Sequence, residues 1–368
     1  MRREETFMAR SPITATRARD EITGASAAIV GVVSTGGTIG SAYGQNSIQI
    51  DPSGASLRAE IDSIARRLEI DVRLKQPLNK GSDDMSPSDW RTIWDSIQDL
   101  RTEGVSDILV THGTDTLCYS AYALDLFARA AGLKIAVTGA FYPLAHPKTD
   151  ARINLEASLA LLKKRTLHNG AHVVFKANSR NVHVIPARAA KPIAFDQTTY
   201  GACYGEIEAV HTIGRATRWM ERPAQAMPEL SMSGPFPSCE ALAEAKNAVV
   251  IVPAHPGLNL NMLSGDTRKI VIIEAYHSGT ASSETRADDI AAYARNHPDI
   301  LVALTPLPSA FAERPYETTI RLMEAGVVAY KDLLPHHAYV FCVIAMAQGK
   351  SLTELKSELA SIQATRGR

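Results

Sequence analysis

The stretch AAIVGVVSTGGTIG, residues 27–40, sets an unbroken apolar run against a loop of glycine and threonine. Residues 27–34 show no alternation of polar and apolar side chains. The run therefore reads as a strand buried on both faces of a parallel sheet. Gly36 and Gly37 allow tight turns that a Cβ would forbid. Open α/β sheets hold their ligands at the carboxyl ends of such strands. Thr35 and Thr38 are both candidate nucleophiles here; the plainer alternative is a glycine turn whose threonines satisfy backbone groups. A GxGxxG pattern is absent and no lysine follows the glycines, so the loop is neither a dinucleotide fingerprint nor a phosphate loop.

Outward from this loop, helical and strand-like segments alternate. Leu57, Ile61, Ile64 and Leu68 recur at helical spacing. Ser86 and Pro87 open a second helix, as N-cap and first helical residue, with Trp90, Ile93, Ile97 and Leu100 as its apolar stripe. Residues 107–111 read as a strand, 117–131 as a helix, 133–138 as a strand, 150–163 as a helix and 172–177 as a strand. The pattern fades after Glu206, and residues 215–240 carry proline, methionine and serine without periodicity. Strands at 248–253, 269–275 and 300–305 follow, with helices at 286–296, 318–325, 335–348 and 352–362. The expected fold class is α/β, in two α/β domains. The larger, with a mostly parallel sheet, covers residues 26–214, a linker 215–245, and the smaller domain 246–368; residues 1–25 read as a disordered tail.

Composition narrows the function classes. Of 368 residues, 39 are basic and 39 acidic, so the surface has no long-range pull on nucleic acid or an anionic membrane. A small-molecule substrate or a protein partner is the better expectation. The four cysteines, Cys118, Cys203, Cys239 and Cys342, form no CxxC pair, which fits a reducing compartment. Residues 1–25 lack the apolar core of a secretory signal, and residues 27–33 are too short to span a bilayer, so a cytoplasmic location is expected.

Three further loops carry chemistry. VTHGTDTL, residues 110–117, again follows a strand and opens a helix, so Thr114, Asp115 and Thr116 meet outward-facing N–H groups suited to a carboxylate or an oxyanion. Capping by Thr and Asp is the plainer alternative. KGSDDMSPSDW, residues 80–90, places Ser82 and Asp84 in a turn before a helix. TGAFYPLAHPKTDARINL, residues 138–155, is another strand end, with Asp150 in the position of an N-cap. There is no GxSxG elbow and no HExxH spacing, and the adjacent His336 and His337 do not share a helix face. Hydroxyl-nucleophile chemistry is favoured, without metal or cofactor.

STGGTIG (34–40) and THGTDTL (111–117) resemble the two signature segments of bacterial-type L-asparaginases. GSDDM (81–85), TGAFYPL (138–144), DARIN (150–154), HPGLN (255–259), YHSGTA (276–281) and EAGVV (324–328) fall in the family's order, over roughly residues 27–362. The resemblance implies a second domain that is flavodoxin-like, and hydrolysis of the side-chain amide of asparagine by a threonine nucleophile. Thr38 is similar to that nucleophile, with Thr114, Asp115 and Lys191 as the second catalytic group and Tyr43 as a mobile tyrosine. Ser82 and Asp115 would grip the amino-acid end of the substrate, with Asp83, Gly37 and Gly113 beside it. A Lys ammonium beside Thr114 favours its deprotonated hydroxyl, and N–H groups of both threonine loops would hold the oxyanion. The resemblance also implies a homodimer, often paired into a tetramer, with Glu313 as an acid from the neighbouring subunit.

Some residues depart from the family pattern. Asp83 stands where an amide is expected, and a carboxylate there repels a substrate carboxylate unless it is paired or turned away. Phe141, Tyr142 and His146 differ from common versions of their loop, and Ala151 replaces a glycine. A glutaminase, or an amidohydrolase for another carboxamide, is therefore the alternative. The ammonia-supplying component of a tRNA-dependent amidotransferase and a catalytically dead ligand sensor are more distant ones.

Overall fold

The computed structural model describes residues 28–223, 226–263, 267–281 and 284–364, with only the helical backbone described at 284–288 and 360–364. The expected tail at residues 1–25 lies outside them.

The apolar run forms β1 (Ala28–Ser34), and the chain then makes a short hairpin, β2 (Ser41–Tyr43) and β3 (Ile48–Ile50). Next come α1 (Ala55–Leu68), β4 (Ile70–Lys75), α2 (Pro87–Thr102), β5 (Asp107–Thr111), α3 (Leu117–Ala128), β6 (Lys134–Thr138), α4 (Ala151–Lys163) and β7 (Gly170–Lys176). β8 (Asn181–Pro186) turns back, and β9 (Ala190–Lys191) with β10 (Gly201–Ala202) makes a small separate ladder. β11 (Ala209–Thr212) and β12 (Arg218–Trp219) close the far edge of the main sheet.

The main sheet runs β12-β11-β8-β7-β6-β5-β1-β4, parallel from β4 to β7 and antiparallel beyond. The chain first steps from β1 outward to β4, then crosses to β5 on the other side of β1. The direction of winding thus reverses at the β1–β5 pair, and their carboxyl ends border a crevice of the kind in which open α/β sheets bind ligands.

β1 is apolar up to Val33, and from Val30 onward both its faces are covered. Val30 and Val32 pack with Leu57, Ile61 and Ile64 of α1 and Leu155 of α4. Val33 faces the other way, toward Ile93 and Ile97 of α2 and Leu117 and Leu124 of α3. Each such aliphatic side chain removed from water contributes about 1.5–3 kcal/mol.

The second half contains α5 (Cys239–Ala245), β13 (Val249–Pro253), β14 (Ile270–Glu274), α6 (Glu284–Asn296), β15 (Leu301–Leu307), α7 (Ser309–Ala312), α8 (Glu317–Glu324), β16 (Val328–Lys331), α9 (Pro335–Ala347) and α10 (Leu352–Ala364). Its sheet, β13-β14-β15-β16, is parallel throughout and unreversed. α9 is buried along most of its length, and its Val340, Phe341 and Ile344 share one core with α2 and α3 of the first half. The adjacent His336 and His337 are accordingly both buried, at 4% and 1% exposure, although neighbours on a helix point in different directions. Parts of the segment expected as a linker join the packing of the first half. Arg218 and Trp219 pair with β11, while Met227, Leu230, Met232 and Phe236 are buried in the shared core.

Candidate active site

Four loops leave the carboxyl edge of the sheet side by side. Thr38 opens a 3-10 turn after β1, half-buried. Gly37 before it has φ 77° and ψ −177°, a backbone region open essentially to glycine alone. A Cβ at Gly37 would lie 2.4 Å from the Cα of Gly113, so the two threonine loops touch backbone to backbone. Thr38 and Thr114 each stand one residue beyond that contact. The loop after β4 completes the arrangement, since Lys80 donates its N–H to Thr35 O at 3.1 Å and accepts from Gly37 N–H at 3.0 Å.

Thr35 is buried and its hydroxyl donates to Thr111 O at 3.0 Å. It fastens β1 to β5, which leaves Thr38 as the accessible hydroxyl of the two. No hydrogen bond engages the Thr38 side chain among the described residues, so that hydroxyl is open to a ligand.

Ser82 is buried against Gly113 and bonded to Asp115 in both directions. Its hydroxyl donates to Asp115 Oδ2 at 3.0 Å and accepts the Asp115 N–H at 3.1 Å. The Thr116 hydroxyl donates to Ser82 O at 2.7 Å. Ser82 thus holds Asp115 in place, while the Asp115 carboxylate itself is exposed. Asp83 is exposed too, with Oδ1 lying 2.3 Å from where a Cβ on Gly81 would be, so glycine makes room for that carboxylate. Helix α2 starts with the Ser86 N–H donating to Asp89 at 2.7 Å, and Lys80 pairs with the same carboxylate at 2.7 Å.

His112 is fully buried, its Nδ1 2.8 Å from Gly113 O. Burial holds its pKa down at about 4 against the ordinary 6.5, so the ring is neutral and serves as packing.

Lys191 is exposed on β9, opposite Gly201 of β10, with Nζ 3.7 Å from the position of a Cβ on Gly201. Tyr200, the residue before Gly201, donates its hydroxyl to Thr114 O at 2.7 Å and packs edge-on against Phe175. Lys191 therefore stands on a ladder adjoining the tyrosine that holds Thr114, although no hydrogen bond joins Lys191 to Thr114 among the described residues. Tyr200 escaped the sequence reading; a tyrosine outside any periodic segment carries no signal of a buried hydroxyl.

Asp150 occupies the N-cap position expected of it, but its carboxylate does not cap the helix. It turns back and accepts the N–H groups of Phe141, at 3.0 Å, and Tyr142, at 3.1 Å; Thr149 takes over at the helix start, accepting the Ala151 N–H at 3.2 Å. Two free N–H groups in the loop are a stronger attraction for a carboxylate than one at a helix end that a hydroxyl can serve. Tyr43, 51% exposed, reaches His146 of this loop with ring centroids 6.1 Å apart. Glu313 lies exposed after α7 in the second half. Among the described residues no group of three or more His, Cys, Asp or Glu side chains is placed to hold a metal ion, and no helix is long and apolar enough to cross a membrane.

Residues 29–214, which include β1 from Ile29 onward and all four of these loops, match the family pattern described as "Asparaginase, N-terminal". The chain belongs to the asparaginase family. Among relatives, a glutamyl-tRNA(Gln) amidotransferase component from Saccharolobus solfataricus is 25% identical over 350 residues, covering 92% of this chain and 76% of that one. The L-asparaginase of Thermococcus kodakarensis is 24% identical over 335 residues, covering 88% of this chain and 94% of the relative. In fold, the chain is similar to the solved thermostable L-asparaginase from T. kodakarensis, with TM-score 0.70 at 22% identity over 90% of this chain and 96% of that one. It is also similar to L-asparaginase I from Vibrio cholerae, with TM-score 0.68 at 19% identity over 91% and 97% of the two chains. The chain is thus an asparaginase-family amidohydrolase, built as that family's two α/β domains.

Proposed function

We propose that this protein hydrolyses the side-chain amide of L-asparagine to L-aspartate and ammonia, with Thr38 as nucleophile. The observation that supports the proposal is the backbone contact between Gly37 and Gly113, the residues immediately before Thr38 and Thr114. An amide carbon is a poor electrophile, so attack needs an activated hydroxyl and donors for the oxyanion. The Thr38 hydroxyl adds to the carbonyl carbon, ammonia leaves, and water splits the resulting ester. N–H groups of the two threonine loops take the oxyanion. Thr114 and Lys191 relay the proton, which requires the exposed Lys191 ammonium to swing inward over Gly201. The Asp115 carboxylate, steadied by Ser82, binds the substrate's ammonium, and Gly37 and Gly113 keep the floor of the crevice free of side chains. Tyr43 covers the nucleophile from the β2–β3 hairpin. The substrate carboxylate docks at the Ser82 loop, with Asp83 turned toward Gly81 and away from it.

Thr38→Ala removes the attacking oxygen and is expected to abolish ammonia release from asparagine while the thermal transition is kept. Full activity in this variant would refute the nucleophile. A second reading comes from the amidotransferase relatives, in which this fold would supply ammonia to a partner acting on tRNA. Ammonia release by the chain alone, compared on asparagine and glutamine, separates the two. Free turnover of asparagine favours the hydrolase, and turnover that waits for a partner favours the amidotransferase component.

A further inference from the structure

Lys191 belongs to a pinched segment, residues 187–206, that opens with the 3-10 turn Ala187–Ala189 and ends just after β10. Its base is closed from within, where the Arg188 guanidinium pairs with the Glu206 carboxylate and both side chains are buried. Glu206 also accepts the Met227 N–H at 2.9 Å. Inside the pinch, Ala190 pairs with Ala202 and Lys191 with Gly201. The first half meets the segment through Tyr200, on Thr114 O, and through Thr199, whose hydroxyl donates to Lys176 O at 2.7 Å.

Further grips come from the second half, on both arms of the pinch. On the arm that leads into β9, His337 of α9 has Nε2 3.2 Å from Ala187 O, and the Ala190 carbonyl partners the ring of His336. A carbonyl only accepts, so the Nε2 of His337 carries the proton of its ring. On the arm that leaves β10, the Tyr204 hydroxyl donates to Asp332 Oδ1. Asp332 follows β16, is buried, and also takes the N–H and hydroxyl of Ser309 in α7. Partial burial, and after it the Asp332 carboxylate, push the Tyr204 phenol above its ordinary pKa, so the hydroxyl remains a donor. Tyr204 and Asp332 each have φ 52°, in the left-handed region that a Cβ disfavours. Such a backbone persists where surrounding contacts over-determine it.

These grips bear on the reach of Lys191. Its ammonium has to travel over Gly201 toward Thr114, and the end of that travel is set by where its Cα is held. A misplacement of about 1 Å in a reacting group costs up to about 100-fold in rate. We propose that Tyr204 and His337 are positioning residues for Lys191, through which the second half of the chain fixes the ladder of β9 and β10 and so the reach of the relay ammonium. The inference rests on Lys191 being the proton relay of Thr114.

The test follows Tyr204→Phe and His337→Leu in the full chain. It measures ammonia release from L-asparagine, and amide hydrogen exchange over residues 187–206 by mass spectrometry. Each variant is expected to lower kcat by about 3- to 10-fold while KM changes less than about twofold, the effect of a hydrogen bond whose loss is felt in the transition state alone. Exchange should quicken within residues 187–206 and keep its wild-type rate in β1 and α1. General destabilisation would instead quicken exchange in β1 and α1 as well, and that result overturns the positioning role. So does an unchanged kcat, or unchanged exchange over residues 187–206, in Tyr204→Phe. That variant keeps the ring at a partly exposed position, so it decides the matter even where His337→Leu fails to fold. Lys191 is exposed, and Lys191→Met leaves the packing in place. Its retaining the wild-type kcat, or a wild-type chain that releases no ammonia, overturns the relay reading beneath and the inference with it.

Discussion

At the scale of single residues, the crevice depends on side chains that are missing as much as on those present. Gly37 combines a backbone angle closed to other residues with a gap too small for a methyl group. Gly37→Ala is expected to cost about 1–3 kcal/mol from the backbone alone, with the clash against Gly113 added. A lower thermal midpoint together with lost turnover would bear this out; an alanine variant as stable and active as wild type would contradict the contact. The glycine itself was legible in the sequence, and so was the loop's place at a strand end. Its touching Gly113 was not, because sequence carries no distance between loops from different strands. The same limit applies to Ser82. The family resemblance implies a ligand for a substrate carboxylate there, while its hydroxyl in the fold is engaged with Asp115. Lys191 differs in another way, for its position along the chain says nothing of the exposure its ammonium has on β9.

At the scale of elements, the segments with strong periodicity were readable and the short ones were not. β5 runs Asp107–Thr111 as expected, and α1, α2 and α4 follow their apolar stripes. β4, β8, β11 and β16 escaped; β4 is a half-exposed edge strand whose IDVRLK sequence has no continuous apolar run. The ladder of β9 and β10 spans two residues on each side, below any sequence period, yet it carries Lys191 and adjoins Tyr200. Burial pushes the Tyr200 phenol well above its usual pKa, so its hydroxyl remains a donor to Thr114 O through alkaline conditions. Tyr200→Phe leaves that carbonyl without its partner and is expected to cost about 1–3 kcal/mol of stability. A severalfold fall in kcat with little change in KM should accompany it if the bond positions Thr114; a drop in stability with kcat intact would leave Tyr200 a packing residue only.

At the scale of the whole molecule, the two halves share a core through α9, whose His337 Nε2 lies 3.2 Å from Ala187 O, in the segment leading to Lys191. Burial holds His112 at about 4 and His336 at about 3, and it holds His337 well below the ordinary 6.5. The unfolded chain takes up protons on these rings as pH falls below the ordinary 6.5, whereas the folded chain resists until near 4 or lower. Their contribution is therefore constant above about pH 6.5 and is lost as pH falls toward 4, with His112 alone accounting for ~3 kcal/mol at most. The urea midpoint should fall between pH 7.5 and 4.5, and His112→Gln should flatten the profile; a midpoint independent of pH would rule out neutral buried rings.

The sequence by itself determined the α/β class, the strands that end in threonine loops and the family to which the chain belongs. These are local properties: the period of apolar residues, the freedom of glycine and the order of short motifs. Only the tertiary structure decided that Thr35 is a fastening and Thr38 the open hydroxyl, that Asp150 clamps the aromatic loop, and that Tyr200 holds Thr114. Each of these depends on which groups meet across the sheet, and hydrogen bonds choose among competing partners only once folding has set the distances.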